Sequence, residues 1–170
     1  FCWLGAKEKR SASGISELTP QPTASVLEAH ALRHAIEIGA ARLAAQRCSP
    51  GQEADIYTCH NALKRKVEAG EVSEEEDFAF HVAIAEATNN RRFVNFLTLI
   101  GRNTIPRSEL RQKANLQLEP GVEQRILLEH REILDAIADR DPARAGAAMR
   151  KHLSEGAERY RTLARLVQLS

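Results

Sequence analysis

From Ser25 onward, apolar residues of this 170-residue chain recur at the spacing of an α-helix with few interruptions. No stretch shows the alternation typical of a half-buried strand, and no repeat is evident. The periodic segments are separated by short breaks rich in Gly, Pro and Asn, at Ser49–Gly51, Ala69–Gly70, Asn89–Asn90 and Glu119–Gly121. This pattern predicts an all-α fold, an antiparallel helical bundle of six or seven helices.

Local signals predict where the helices begin and end. A capping box starts the third helix, with Ser73 as N-cap and Glu76 at N3. Pro106 divides or kinks the fourth segment, and Asp141 caps the last helix with Pro142 at its first position. The predicted segments are Val26–Cys48, Gln52–Ala69, Ser73 to about Thr88, Arg91–Leu118, Val122–Asp139, and Asp141 to about Gln168.

Composition indicates one soluble helical domain at residues 25–170, preceded by a linker or arm at residues 1–24 that lacks periodicity. The 24 basic and 23 acidic residues nearly cancel, which gives no sign of a nucleic-acid-binding surface. No apolar run approaches the roughly 20 residues that cross a bilayer, so a cytoplasmic location is expected. Cys2, Cys48 and Cys59 lack C-x-x-C spacing and are predicted to be free thiols.

Four residues with metal-binding side chains lie on predicted core-facing stripes. Asp77 and His81 are four residues apart in "DFAFH", on one face of the third helix. His130 lies in the apolar stripe of "EQRILLEHREILDAIADRD", and His152 in that of "DPARAGAAMRKHL". A buried carboxylate is costly unless it is paired or bound to a cation. Three imidazoles and one carboxylate form a set that suits Zn, Ni, Mn or Fe, which predicts a divalent metal site.

Simpler interpretations remain open for each residue. A single histidine on an apolar stripe is more often a hydrogen-bonded core residue, and Asp77 alone fits a first-turn carboxylate favoured by the helix dipole. The pair His30 and His34 is expected to pack or face solvent. A Cys59–His60 catalytic pair lacks an accompanying oxyanion motif, and no phosphate loop or hydrolase motif occurs. With Asp77 used as a metal ligand, no second buried acid or base is evident in the apolar stripes. We therefore do not predict an enzyme.

Five segments in order resemble the ligand-binding domain of FadR-type GntR transcription regulators, the FCD domain. They are "DFAFH", "IAEATNN", "EHREILDAIADRD", "AMRKHL" and, earlier, "LRHAIEIGAARLAAQR". The last is similar to the first-helix signature R-x-x-L-E-x-x-A-A-x-L-A-A, with Ile36 in place of the usual Leu. The resemblance covers about Val26 to Leu169.

The resemblance implies a helical sensor domain that binds a divalent metal on one Asp and three His, with a small organic acid above it. By motif position those ligands are Asp77, His81, His130 and His152, with Zn expected first and Ni or Mn as alternatives. Arg33 matches the motif arginine and is expected to bind the carboxylate of the effector, the alternative being a surface arginine. Asn90 matches the residue that ends the third helix and is expected to be its C-cap.

The resemblance also implies a homodimer in which an N-terminal winged helix binds operator DNA. Residues 1–24 are too short for such a domain, so operator binding is expected through a part of the parent protein that this chain does not contain. The leading hypothesis is therefore an effector-sensing and dimerisation domain. Two alternatives are a helical metalloenzyme acting on a small organic acid, and a purely structural metal site.

Overall fold

A computed structural model of the chain describes residues 23–101 and 121–169, and the side chains of residues 27–100 and 121–166. Within these two ranges there are six helices and no strand, which confirms the predicted all-α class. Residues 1–22 of the arm predicted at residues 1–24, and the end of the predicted fourth segment, including Pro106, lie outside the described residues. The helices are α1 Thr23–Arg47, α2 Pro50–Glu68, α3 Glu74–Glu86, α4 Arg91–Gly101, α5 Val122–Ala138 and α6 Pro142–Leu169.

The capping box predicted at Ser73 is not formed. Ser73 occupies the N-cap position, but its backbone has ψ of 16° and its side chain makes no capping hydrogen bond. An N-cap side chain reaches the first free amides when its own backbone is extended, and Ser73 is not. The capping box forms instead at the start of α2, where Ser49 Oγ accepts from Gln52 N and Gln52 Oε1 accepts from Ser49 N.

Asp141 is the N-cap of α6 as predicted, since its Oδ1 accepts a hydrogen bond from Arg144 N at 2.9 Å. Asn90, in contrast, was wrongly predicted as the C-cap of α3. That helix ends with Ala87 as its C-cap, and Asn89 makes the turn in the left-handed region with φ of 55°. Asn90 then starts α4, because its Oδ1 accepts from Arg92 N at 3.1 Å.

Helices α1 and α6 form the most extensive packing pair of the bundle, and α1 also contacts α3, α4 and α5. Helix α5 lies between neighbours on several sides, because it packs against α1, α2 and α6. The approach of α6 to α1 is close at Gly146, where an added Cβ would lie 2.7 Å from Arg42 Cγ. The core that results is built from alanines of α1 and larger side chains of α2, α3, α5 and α6, among them Ala41, Ala44, Ala45, Ile56, Phe80, Ile84, Ile133, Leu134, Ile137 and Met149.

None of the helices in the described ranges is both long enough and apolar enough to cross a membrane.

Replacing Ile133, which has 0% exposure, by Ala is expected to lower the free energy of unfolding by about 2–5 kcal/mol. The loss combines the transfer free energy of the removed methyl and methylene groups with the cavity that they leave. Leu128 on the same helix is 65% exposed, so Leu128→Ala is the matched control and is expected to stay within about 0.5 kcal/mol. Urea unfolding with linear extrapolation measures both, and equal losses would contradict this assignment of the core.

Candidate metal centre

The structure brings the four predicted ligand residues together in the bundle interior. Asp77 and His81 come from α3, His130 from α5 and His152 from α6, and all four are buried. One oxygen of Asp77 and one nitrogen of each histidine lie within 4.8 Å of one another. The i, i+4 spacing on α3 places two of these donors on one helical face, and the packing of α5 and α6 supplies the other two.

The donor atoms face one another at separations typical of ligands that share an ion. His152 Nε2 lies 3.2 Å from His81 Nε2 and 3.3 Å from His130 Nε2. Asp77 Oδ1 lies 3.4 Å from His130 Nε2. Two nitrogens bound to one zinc ion at about 2.0–2.1 Å in a tetrahedron would be about 3.3–3.4 Å apart. The donor types and these three separations fit a divalent ion.

Two carboxylates that were not predicted lie behind the histidines. Glu37 Oε2 lies 2.5 Å from His81 Nδ1, a short contact that is not aligned as an ordinary hydrogen bond. Glu129 Oε2 accepts a hydrogen bond from His152 Nδ1 at 2.8 Å. A carboxylate beside Nδ1 favours the tautomer that carries its hydrogen on Nδ1, which leaves a lone pair on Nε2.

With this tautomer on both residues, the contact between His81 and His152 shows whether the site suits a cation. Two Nε2 lone pairs that face each other at 3.2 Å repel, because neither atom can donate a hydrogen bond to the other. A divalent ion between them would convert both lone pairs into coordinate bonds. The donor set therefore fits a metal ion better than it fits a self-contained hydrogen-bond network.

Burial keeps two of the histidines neutral. Burial, with the neighbouring His152 as the next cause, lowers the pKa of His130 well below its ordinary value. Burial also lowers the pKa of His152, although the hydrogen bond to Glu129 acts in the opposite direction. Neutral imidazole is the form that binds a metal, so both side chains are available as ligands at neutral pH.

Arginines compensate the two additional carboxylates. Arg33 Nε donates to Glu37 Oε1 at 2.5 Å, and Arg159 donates to both oxygens of Glu129 at 2.8 and 2.9 Å. Burial alone would raise the pKa of each glutamate. Arg33 together with His81 lowers the pKa of Glu37 to about 2, and the hydrogen bonds from His152 and Arg159 lower that of Glu129 to about 2.

The expectation that no second buried acid or base exists is therefore wrong, although both carboxylates are ionised at neutral pH and held by arginines. The sequence carries one signal for Glu37 and one for Arg159, the arginine that contacts Glu129. Glu37 follows Arg33 by four residues on α1, and Arg159 follows His152 by seven on α6. Glu129 has no such signal, because it directly precedes His130 and adjacent helical residues point in different directions.

Arg33 is not the surface residue of the alternative interpretation, because it is only 3% exposed. Burial alone would lower the pKa of Arg33, but the charge of Glu37 and the hydrogen bond to it raise it. Its Nη2 atom has no hydrogen-bond partner among the residues that the structure describes. Arg33 therefore carries a buried, charged N–H group that can donate a hydrogen bond to an anionic ligand.

The remaining histidines and cysteines stay outside this cluster. His34 Nε2 lies 3.3 Å from Ser154 Oγ, and the ring of His30 lies 5.9 Å from that of Tyr160. These contacts agree with the packing role expected for the His30–His34 pair. Buried His60 directs Nε2 towards the Leu127 carbonyl oxygen at 3.3 Å. The two cysteines among the described residues, Cys48 and Cys59, are free, while Cys2 lies outside that part of the chain.

Comparison with known proteins gives a consistent set of matches. The model of the FCD domain family matches residues 28–155. The chain is 35% identical over 126 residues to "HTH-type transcriptional regulator LutR" of Bacillus subtilis (strain 168), covering 72% of this chain and 56% of that protein. It is 33% identical over 136 residues to "Putative L-lactate dehydrogenase operon regulatory protein" of Escherichia coli (strain K12), covering 79% of this chain and 50% of that protein.

A solved structure described as "Streptococcus agalactiae GntR" has the same fold, with a TM-score of 0.68 and 23% sequence identity. The match covers 81% of this chain and 60% of that chain. The chain spans about half the length of the curated relatives that it matches.

The environment of Cys59 predicts a poorly reactive thiol. Burial, with Asp55 and Glu86 as further causes, raises the pKa of Cys59, so less thiolate is present at a given pH than for a free thiol. Alkylation of Cys59 by iodoacetamide is expected to reach its half-maximal rate at a higher pH than alkylation of N-acetylcysteine. Peptide mapping by mass spectrometry between about pH 7 and about pH 10 measures both rates. A midpoint below that of the free thiol would revive the Cys59–His60 catalytic pair.

Proposed function

The chain belongs to the FCD domain family of GntR-type transcription regulators, and from that premise we propose that it is the effector-sensing and dimerisation domain of a longer regulator. The parent protein is proposed to bind operator DNA as a homodimer in the cytoplasm, through a domain that lies outside this chain. The name of the Bacillus subtilis relative, an HTH-type regulator, supports this division of roles, since the match covers only 56% of that protein.

The prediction that the chain is not an enzyme is confirmed at the level of its family, because the matching proteins are named as regulators. The structure agrees with that outcome at Glu37 and Glu129, whose charges are held by arginines. A pKa of about 2 lies far from neutral pH, whereas an efficient general acid or base has a pKa near the pH at which it acts. The metalloenzyme alternative therefore has no support from these two groups.

The first part of the proposed mechanism is a divalent metal held by Asp77, His81, His130 and His152. The observation that carries it is the convergence of three imidazole nitrogens and one carboxylate oxygen within 4.8 Å, in a fully buried position. Zn is the first choice for this nitrogen and oxygen set, with Ni or Mn as alternatives. When bound, the ion would supply a positive charge and coordination positions for oxygen ligands.

The second part is a small carboxylate effector that contacts the ion and Arg33. Glu37 links Arg33 to the centre, because its Oε1 accepts from Arg33 Nε and its Oε2 lies 2.5 Å from His81 Nδ1. Its Nε is used by Glu37, whereas Nη2 has no partner among the described residues and can donate to a carboxylate. The name of the Escherichia coli relative refers to an L-lactate dehydrogenase operon, so lactate and similar 2-hydroxy acids belong first in a screen.

A sensor requires that the effector bind two arrangements of the domain with different affinity. The proposed centre meets a structural condition for this, because its side chains come from α1, α3, α5 and α6. An ion and a carboxylate bound there would favour one relative placement of these helices. A dimer could then transmit the difference to the DNA-binding part.

A purely structural ion is the second candidate, favoured by the complete burial of four protein ligands. The two candidates differ in one observable. A structural ion stabilises the fold irrespective of organic acids, whereas a sensory ion gives further stabilisation when the carboxylate is added.

Replacing His130 by Ala is expected to remove the bound ion and the response to carboxylates together, because one of four ligands is lost. The purified chain and His34→Ala are expected to contain about one divalent ion per chain, and His130→Ala far less. His34 is the matched control, since it is a partly exposed histidine bonded to Ser154. Elemental analysis before and after dialysis against a chelator gives the ion content.

Thermal unfolding with added lactate then tests the effector. A carboxylate at about 100 times its Kd would stabilise the metal-loaded chain by about 2.7 kcal/mol. The same acid is expected to have no effect on His130→Ala. Retained metal and an unchanged carboxylate response in that variant would contradict the proposed centre, and stabilisation by the ion alone across the acids screened would favour the structural site.

Replacing Arg33 by Gln is expected to weaken carboxylate binding by at least about tenfold, as lost charge-assisted hydrogen bonds do, while about one ion per chain is retained. Arg42→Gln is the matched control, because Arg42 lies on the same helix and is exposed. Isothermal titration of the metal-loaded proteins with lactate measures the difference. Equal affinities in the two variants would remove Arg33 from the effector site.

A further inference from the structure

Two buried glutamates outside the proposed ligand set each contact the outer nitrogen of a ligand histidine. Glu129 accepts a hydrogen bond from His152 Nδ1 at 2.8 Å, and Glu37 lies 2.5 Å from His81 Nδ1. Both glutamates are almost completely buried, with exposures of 8% and 2%. Their positions are therefore fixed by the interior of the bundle and not by solvent.

We propose that Glu129 and Glu37 are positioning residues of the metal centre, which select the tautomer and orientation of His152 and His81. Each would keep hydrogen on Nδ1 and direct the Nε2 lone pair towards the point shared with Asp77 and His130. This inference rests on the proposed function, because it assumes that an ion occupies that point. It assigns to the two carboxylates a role that the ligand motif does not contain.

An arginine holds each carboxylate in place. Arg159 donates one hydrogen bond to each oxygen of Glu129, in the two-bond geometry that fixes the plane of a carboxylate. Arg33 donates from Nε to the Glu37 oxygen that does not contact His81. Each arrangement is thus an arginine–glutamate–histidine series that ends at the ion. The charge of each buried glutamate is compensated without the metal, so the series can exist before the ion binds.

The two series reach the centre from different helices. Arg33 and Glu37 lie on α1, which packs against the His81 helix α3. Glu129 lies on α5 and is held between two residues of α6, Arg159 and His152. Two ligand histidines are therefore oriented by residues of a neighbouring helix, and the orientation depends on how the helices pack.

His130 provides an internal contrast. Its Nδ1 atom has no hydrogen-bond partner among the described residues. The ring is instead stacked on Phe80, with centroids 4.3 Å apart and planes 9° from parallel. Packing against an aromatic ring sets the position of an imidazole but does not select its tautomer. Only two of the three ligand histidines are therefore expected to depend on a glutamate.

The experiment compares Glu129→Gln and Glu37→Gln with the control Glu132→Gln. Glu132 lies three residues after Glu129 on α5, but it is exposed and pairs with Lys151 at the surface. Glutamine keeps the size of glutamate and removes the charge. Competition with a chromophoric chelator measures the affinity of the full chain for Zn²⁺ and Co²⁺, and urea unfolding in chelator records the stability of each metal-free variant.

Both glutamate variants are expected to bind Zn²⁺ about 10–100-fold more weakly than the wild-type chain, as losses behind metal ligands generally do, with one ion per chain still bound at saturation. Glu132→Gln is expected to keep the wild-type affinity. The visible absorption bands of bound Co²⁺ are expected to shift in the two glutamate variants, because their energies follow ligand orientation. A merely structural glutamate would change stability in chelator and leave these bands in place.

A second measurement needs no variant. Long-range ¹H–¹⁵N correlation spectra of the metal-free wild-type chain distinguish the two histidine tautomers, and His81 and His152 are expected to carry hydrogen on Nδ1. Hydrogen on Nε2 of both residues would overturn the positioning role, as would unchanged Zn²⁺ affinity in both glutamate variants while the wild-type chain binds the ion. Failure of the wild-type chain to bind any divalent ion would instead overturn the metal centre of the proposed function.

Discussion

The cost of burying charge governs the interior of this bundle. Among the residues that the structure describes, three carboxylates are buried, those of Asp77, Glu37 and Glu129, and each would be strongly destabilising without a counterpart. Glu37 and Glu129 each contact an arginine and a histidine, and these contacts together hold their pKa values low. Asp77 lies among the imidazole nitrogens of the centre, where a bound cation would stabilise its charge. The stability of the core consequently depends on the same charged groups that form the centre.

The buried centre also connects four helices of the bundle. Side chains from α1, α3, α5 and α6 meet at the centre, and Phe80 of the apolar core stacks on His130. A close-packed interior does not deform continuously, so the proposed occupation of the centre would act on the relative placement of whole helices. This is the property that a sensor domain of a transcription regulator requires, and it explains why a metal and an effector would share one buried location.

Particular residues show how far sequence could predict this arrangement. Helical spacing and the order of the motifs led to Asp77, His81, His130 and His152, which the fold brings together. The same spacing missed Glu129, because a single inward stripe cannot contain both it and His130. Helix α5 is contacted by α1, α2 and α6, so more than one of its faces is buried. The capping box predicted at Ser73 is absent because capping depends on backbone angles, which residue types do not reveal.

The amino-acid sequence by itself determined the helical class, most helix ends and the residues able to bind a metal, because these follow from local periodicity, turn residues and side-chain chemistry. Tertiary structure alone decided which nitrogen of His81 and His152 faces the centre and which arginine compensates each glutamate. It also decided that Arg33 is buried, whereas the sequence alone left open that Arg33 faces solvent. Contacts of this kind depend on which helix faces meet, and residues 33, 81, 129 and 152 meet only after the chain has folded.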